Sequence, residues 1–155
     1  MSKEHHYALA IEWAGNLGTG TSDYRAYTRN HLVSAENKPN IMASSDPHFR
    51  GDQTRYNPEE MLVAALSSCH MLSYLHLCAT HGIVVLEYKD NATATMVVNP
   101  DGSGQLTEAT LNPIVKVKDT SMNAKAVALH DQAEKLCFIA RSVNFPVHHK
   151  PTVIN

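Results

Sequence analysis

Apolar positions along this chain follow two rhythms. Near the start, "YALAIEW" (7–13) alternates with the period of two expected of a strand, and the Gly-rich "GNLGTGTSD" turns it toward a second candidate, "YRAYTRNHLV" (24–33). "KPNIMAS" offers a third strand. The Pro, Gly and Asp content of "SDPHFRGDQTRYNP" then predicts a loop, of a length that often carries function inside a compact domain.

The rhythm changes at "NPEEMLVAALSSCHMLSYLHLCAT" (57–80). Asn57 suits an N-cap and Pro58 the first helical position, and Glu59 and Glu60 lie where the helix dipole favours negative charge. Met61, Leu62, Ala64, Ala65, Leu66, Met71, Leu72, Leu75 and Leu77 cover nearly every face, which predicts a helix enclosed by protein on most sides and closed by Gly82. The run has about the length of a membrane span, but Ser67, Ser68, His70, Ser73 and His76 interrupt it, and lipid penalises such groups. A core helix is the expectation.

Downstream, "IVVLEYKDNATATMVVNPDGSGQLTEATLNPIVKVK" reads as a long hairpin folded at "NPDGSG". "SMNAKAVALHDQAEKLCFIARSV" has helical spacing at Ala126, Leu129, Ala133 and Leu136, and "FPVHHKPTVIN" returns to extended chain. The predicted order β-β-β-α-β-β-α-β makes residues 1–155 a single α+β domain, its long central helix packed on an antiparallel sheet.

Charge changes this picture little. A net charge of −2 and a pI near 6.5 give no footprint for nucleic acid or anionic lipid. The polar start lacks the apolar core of a secretory signal, so a cytoplasmic protein is expected. In a reducing compartment Cys69, Cys78 and Cys137 are not a disulfide framework, and each is a reactive thiol, a metal ligand or a small buried hydrophobe. Cys69 and Cys78, nine residues apart, point to opposite sides of one helix and cannot pair. Cys137 could meet either only through tertiary packing, and Arg141 one turn later could favour its thiolate.

"NPEEMLVAALSSCHML" resembles the central-helix signature of the OsmC/Ohr family (osmotically inducible protein C and organic hydroperoxide resistance thiol peroxidases). The spacing from Glu59 to Cys69 fits without a gap, and Cys137 in "AEKLCFIARSV" matches the family's second cysteine. The resemblance implies an OsmC-like fold, an interlocked homodimer with paired central helices, and no cofactor or metal. It further implies that Cys69 attacks an organic hydroperoxide and becomes a sulfenic acid, which Cys137 condenses with to a disulfide. An external dithiol, of lipoyl type, then reduces it. No nucleic-acid or membrane partner is implied.

A buried nucleophilic thiol needs a nearby cation, because desolvation alone raises its pKa. Family members supply an arginine held by the glutamate that matches Glu59. Ten helical residues rise about 15 Å, so Glu59 and Cys69 of one straight helix are not neighbours. Either the arginine bridges that gap or a partner chain supplies Glu59. One family branch places the arginine where this chain has His48, before Phe49-Arg50-Gly51. The other draws it from the early ribbon, where Arg25 and Arg29 would share a strand face. Arg29 is the first candidate and Arg50 the second, with solvated surface groups the alternative. Phe138 stands where the family commonly has proline after the second cysteine, which bears on the local geometry of Cys137.

Among ten histidines, His70 faces about 100° away from Cys69 and is expected to be a packed residue rather than its base. His70 and His76 lack the i, i+4 spacing of helical metal pairs, and adjacent His148 and His149 point oppositely on extended chain. Two further readings remain: an OsmC-like fold that binds a small molecule without turnover, and a redox sensor signalling through a Cys69–Cys137 disulfide.

Overall fold

A computed structural model describes residues 1–155. The chain divides into two compact units, Met1–Met61 and Leu62–Asn155. The first holds an antiparallel sheet of β1 (Ala10–Trp13), β2 (His31–Ser34) and β3 (Ile41–Ala43), with Ile11 opposite Val33 and Leu32 opposite Met42. The second candidate strand is thus shortened to its last residues. Tyr24 and Arg25 instead form a turn, in which the Ala26 N–H donates to the Asp23 carbonyl and the Arg25 N–H to Asp23 Oδ1, while Tyr27 bridges Asn16 and the Thr28 N–H donates to the Gly15 carbonyl. Asp23 captures the backbone at Arg25 and Ala26, so Arg25 and Arg29 do not share one strand face.

The loop before the long helix contains a 3-10 turn at Pro47–Phe49, closed by Arg50 in the left-handed region at φ 62°. Gly51 follows because the chain passes itself closely there: a Cβ would lie 1.6 Å from the Ser45 carbonyl oxygen.

Helix α1 (Pro58–Thr80) starts where its signals predict. The Glu60 N–H donates to Asn57 Oδ1 at 2.8 Å and the Asn57 N–H returns to Glu60 Oε1 at 3.1 Å, a reciprocal capping box. At the other end the Ile83 N–H reaches the Cys78 carbonyl and the Gly82 N–H that of Ala79, a Schellman closure with Gly82 at φ 72°. Ile83 is itself buried in the cluster that contains Cys78.

In the second unit the expected long hairpin is four strands: β4 (Val85–Asp90), β5 (Thr93–Val98), β6 (Gly104–Leu111) and β7 (Pro113–Val117). β4 pairs with β7 and β5 with β6, both antiparallel, as in one hairpin broken midway. Asp90 makes the break. Its Oδ1 takes the Asn112 N–H at 2.7 Å and its Oδ2 the Ser67 hydroxyl at 2.6 Å, so Asn112 leaves the ladder just before Pro113.

Helix α2 (Asn123–Leu136) then crosses over, and β8 (Val147–His149) and β9 (Thr152–Ile154) return parallel to β6 and β7. The expected antiparallel sheet is therefore corrected to two mixed three-stranded sheets, β4-β7-β9 and β5-β6-β8. A helical crossover is what parallel pairing requires. Tyr74, Leu77, Cys78, Val115, Val117, Ala126, Leu129 and Ala133 form the core.

α1 is long and apolar enough to cross a membrane by length and composition. It is not enclosed on most sides within this chain. Leu66, His70, Tyr74, Leu77 and Cys78 form a single buried stripe, while Ala64, Ser68, Leu72 and His76 line an exposed one. Asn57→Ala should lower stability by about 1 kcal/mol, the usual loss of an N-cap, and Gly82→Ala by a similar amount, because φ 72° disfavours a Cβ. Urea denaturation at neutral pH measures both, and an unchanged midpoint in either variant would contradict the cap assignments.

Candidate active site

Side chains join α1 to α2 at three levels. The Tyr74 hydroxyl donates to the Ala126 carbonyl at 2.9 Å. His70 Nε2 meets His130 Nδ1 at 3.0 Å. The Cys69 thiol lies near enough to that of Cys137 to add to the rise in its pKa, and all three cysteines are free thiols. Positions rise along α1 from 69 to 74 as they fall from 137 to 126, so the two chain directions oppose.

Cys69 sits one residue before His70, about 100° from the buried stripe, and is half-buried. Cys137 is buried where α2 stops. Its own N–H still bonds the Ala133 carbonyl, but its backbone is extended at φ −69°, ψ 109°. The Ala140 N–H donates to Cys137 Sγ at 3.4 Å and the Arg141 N–H to the Cys137 carbonyl at 3.1 Å. The thiol therefore caps the turn that follows, much as a serine caps a helix.

This arrangement deals with both local expectations. Phe138 occupies the first position of that turn, where a proline is also at home, and its ring is 79% exposed. Cys137 is held by backbone bonds on either side. Arg141 is exposed in the 3-10 turn Ala140–Ser142, because the helix expected to carry it beside the thiol has already ended. Burial pushes the Cys137 thiol up to about 11, against the opposing pull of the Ala140 N–H, while the Cys69 thiol adds to the rise. Cys78 is core filler: buried beside Tyr74, its thiol is likewise raised by burial.

The remaining site residues lie in the first unit. Arg29 is fixed by its own turn: Nη1 donates to the Tyr27 carbonyl and Nη2 to that of Tyr24, both at 2.8 Å. The Tyr24 and Tyr27 rings lie 4.4 and 4.0 Å from its guanidinium carbon. Two of its five N–H donors are thus used, and the ring faces hold the charge by cation–π attraction. Arg50 is exposed, as is His48, which pairs with Asp46 at 2.8 Å. Glu60 closes the capping box, so the carboxylate of Glu59 is not committed to it.

Sequence reasoning missed the partners of His70. His130 from α2 and His149 from β8 pack on it with ring centroids 5.3 and 4.4 Å away, and Tyr74 stacks on His130 at 3.9 Å. His130 follows Leu129 and precedes Ala133 on the buried face of α2, the one signal that could have placed it inside. No three His, Cys, Asp or Glu side chains converge as metal ligands. An open pocket of about 640 Å³ lies against α2 and β8, lined by Glu108, Asp131, Glu134, His148, His149 and Lys150 among others, and includes neither thiol.

Residues 51–152 match the family described as OsmC-like protein. An OsmC-like protein of unknown function from Vibrio cholerae superposes with TM-score 0.86 at 30% identity, over 96% of this chain and 99% of that one. An organic hydroperoxide resistance protein OsmC from Legionella pneumophila gives 0.68 at 16% identity, over 98% and 100%. A putative organic hydroperoxide resistance protein from Vibrio cholerae, with captopril in one of its active sites, gives 0.65 at 18%, over 99% and 95%. No curated protein matches the chain significantly.

Exposure and titration of the thiols lead to an ordering of reactivity. With iodoacetamide at pH 8, Cys69 should label at least about tenfold faster than Cys137 or Cys78, whose buried thiols are mostly protonated. Peptide mass spectrometry of timed samples reads the order, and faster labelling at Cys137 would contradict the placement.

Proposed function

The chain belongs to the OsmC-like family, and from that premise we propose that it is a thiol peroxidase that reduces organic hydroperoxides to alcohols. The observation that supports this most is the meeting of two free thiols from different helices, one half-exposed and one buried.

In this reading the Cys69 thiolate attacks the terminal peroxide oxygen and the O–O bond breaks. Cys69 becomes a sulfenic acid, and the departing alkoxide takes up a proton as alcohol. Cys137 then attacks the sulfenic sulfur, forming the disulfide, while the hydroxyl leaves as water with the proton of the Cys137 thiol. An external dithiol, of lipoyl type, restores both thiols by exchange and is itself oxidised. The high pKa of Cys137 keeps this thiol neutral during the first step, so it does not compete with Cys69 for the peroxide.

Arg29 is the first candidate for the cation that favours the Cys69 thiolate, with Glu59 orienting it and Arg50 the alternative. Its clamped guanidinium is already ordered, so little side-chain entropy remains to be lost.

The working form is a homodimer with interlocked chains. In the single chain β1 buries none of its four residues, Ile11 is 66% exposed, and Leu72 on α1 is 62% exposed. Apolar faces of this extent favour an interface with a second copy. Sedimentation should return twice the 17.1 kDa chain mass.

Consumption of cumene hydroperoxide with dihydrolipoamide tests the activity. Wild type should turn over, Cys69→Ser should lose activity by at least about a thousandfold, and Cys137→Ser should retain only a slower, reductant-dependent rate. Arg29→Ala should shift the pH dependence of Cys69 labelling upward while Arg50→Ala leaves it in place. If the folded dimer consumes no peroxide, the protein is an OsmC-like binder and the enzyme reading fails. Oxidation to the disulfide without sustained turnover under excess dithiol would make it a redox sensor.

A further inference from the structure

Three histidine rings fill the junction of α1, α2 and β8, and the peroxidase chemistry uses none of them. His70 and His130 are fully buried, and the His149 side chain is 8% exposed. Each neutral ring carries one proton, so a His70–His130 hydrogen bond uses one donor and one acceptor between them. His70 Nδ1, His130 Nε2 and His149 Nε2 are all buried without a partner. The pair therefore already holds one unmatched N–H and one unmatched lone pair. A further proton would turn that lone pair into a second orphan donor and place a charge where no carboxylate contacts the pair.

We propose that the His70–His130–His149 cluster is an acid-sensitive clasp: charging it parts α1 from α2 and thereby withdraws Cys137 from Cys69. The clasp shares its helices with the dithiol. His70 is bonded to Cys69 through one peptide, and His130 lies two turns before Cys137 on the same face of α2. The inference concerns the junction and does not rest on peroxide turnover.

The surrounding charges set the order of events. Tyr74 stacks on His70 and His130 from α1, with Cys78 and Tyr88 beyond it, while Asp90 from β4, Asp131 and Glu134 from α2, and His148 from β8 act on the histidines. Glu134 lies 3.5 Å from His149 Nδ1, so His149, at the rim, is the ring best able to hold a first proton. That charge would sit against His70, whose ring centroid is 4.4 Å away, and would oppose a second. Burial pushes His70 down to about 3 and His130 down to about 4, and lowers His149 as well.

The folded values are depressed, so the clasped form is fully favoured above the free-histidine pKa of about 6.5. It loses ground as pH falls from there toward 4. For each ring that charges only on opening, the opening constant rises about tenfold per pH unit in that window.

Hydrogen exchange with mass spectrometry, corrected for intrinsic rates, tests this at pH 7, 6, 5 and 4.5. Protection of α1 and α2 near 70–77 and 126–133 should fall at least tenfold between pH 6 and 5 in wild type, ahead of the β5–β6 hairpin. His130→Phe, which keeps the stack on Tyr74 but cannot charge, should blunt the fall. If that variant does not fold, His149→Phe at the rim serves, and NMR titration of wild-type His70 and His130 decides independently. Unchanged protection down to pH 4.5, a uniform loss across the unit, or folded histidines titrating near 6.5 would overturn the proposal.

Discussion

The meeting of α1 and α2 through side chains at three levels is the constraint on which the rest of the second unit depends. Tyr74 with the Ala126 carbonyl and His70 with His130 fix the relative rotation of two helices far apart in sequence, and Cys69 lies near Cys137 beside them. A slip of one residue on either helix turns every group by about 100° and removes these contacts. The ends of α1 are therefore placed with care, by the Asn57–Glu60 box at one end and the Gly82 closure at the other. α2 is stopped by Cys137 itself, whose sulfur accepts from the turn beyond.

The two units contribute differently. The second has its own core beneath α1 and α2, with the β4-β7-β9 sheet supplying Val115 and Val117. The first buries little of its sheet, and only Val33 and Ala43 of β1–β3 are fully covered. It also holds an ordered cation: Arg29 is gripped by two carbonyls and two tyrosine rings close to it in sequence. The larger, well-cored unit thus bears the thiols and the under-covered one an ordered arginine.

How much was legible in the sequence depends on the range of the interaction. Asn57, Pro58, Glu60 and Gly82 act within a few residues, so both ends of α1 could be read. The strand read over 24–33 is broken at its start because Asp23 captures the backbone at Arg25 and Ala26, while Tyr27 and Thr28 still pair with Asn16 and Gly15. The break of the long hairpin was hidden because Asp90 acts on Asn112, twenty-two residues away. His130 and His149 join His70 only through the tertiary fold, and periodicity marks a buried face without saying what it faces. The parallel return of β8 and β9 is a matter of topology that strand pattern does not encode.

The central claim is that Cys69 and Cys137 act as a pair, and mass spectrometry of the protein treated with one equivalent of cumene hydroperoxide tests it most directly. Digestion without reductant should yield a single crosslinked species joining the Cys69 and Cys137 peptides, with Cys78 still free. Overoxidation of Cys69 beside an untouched Cys137 thiol, or three unmodified cysteines, would contradict the account.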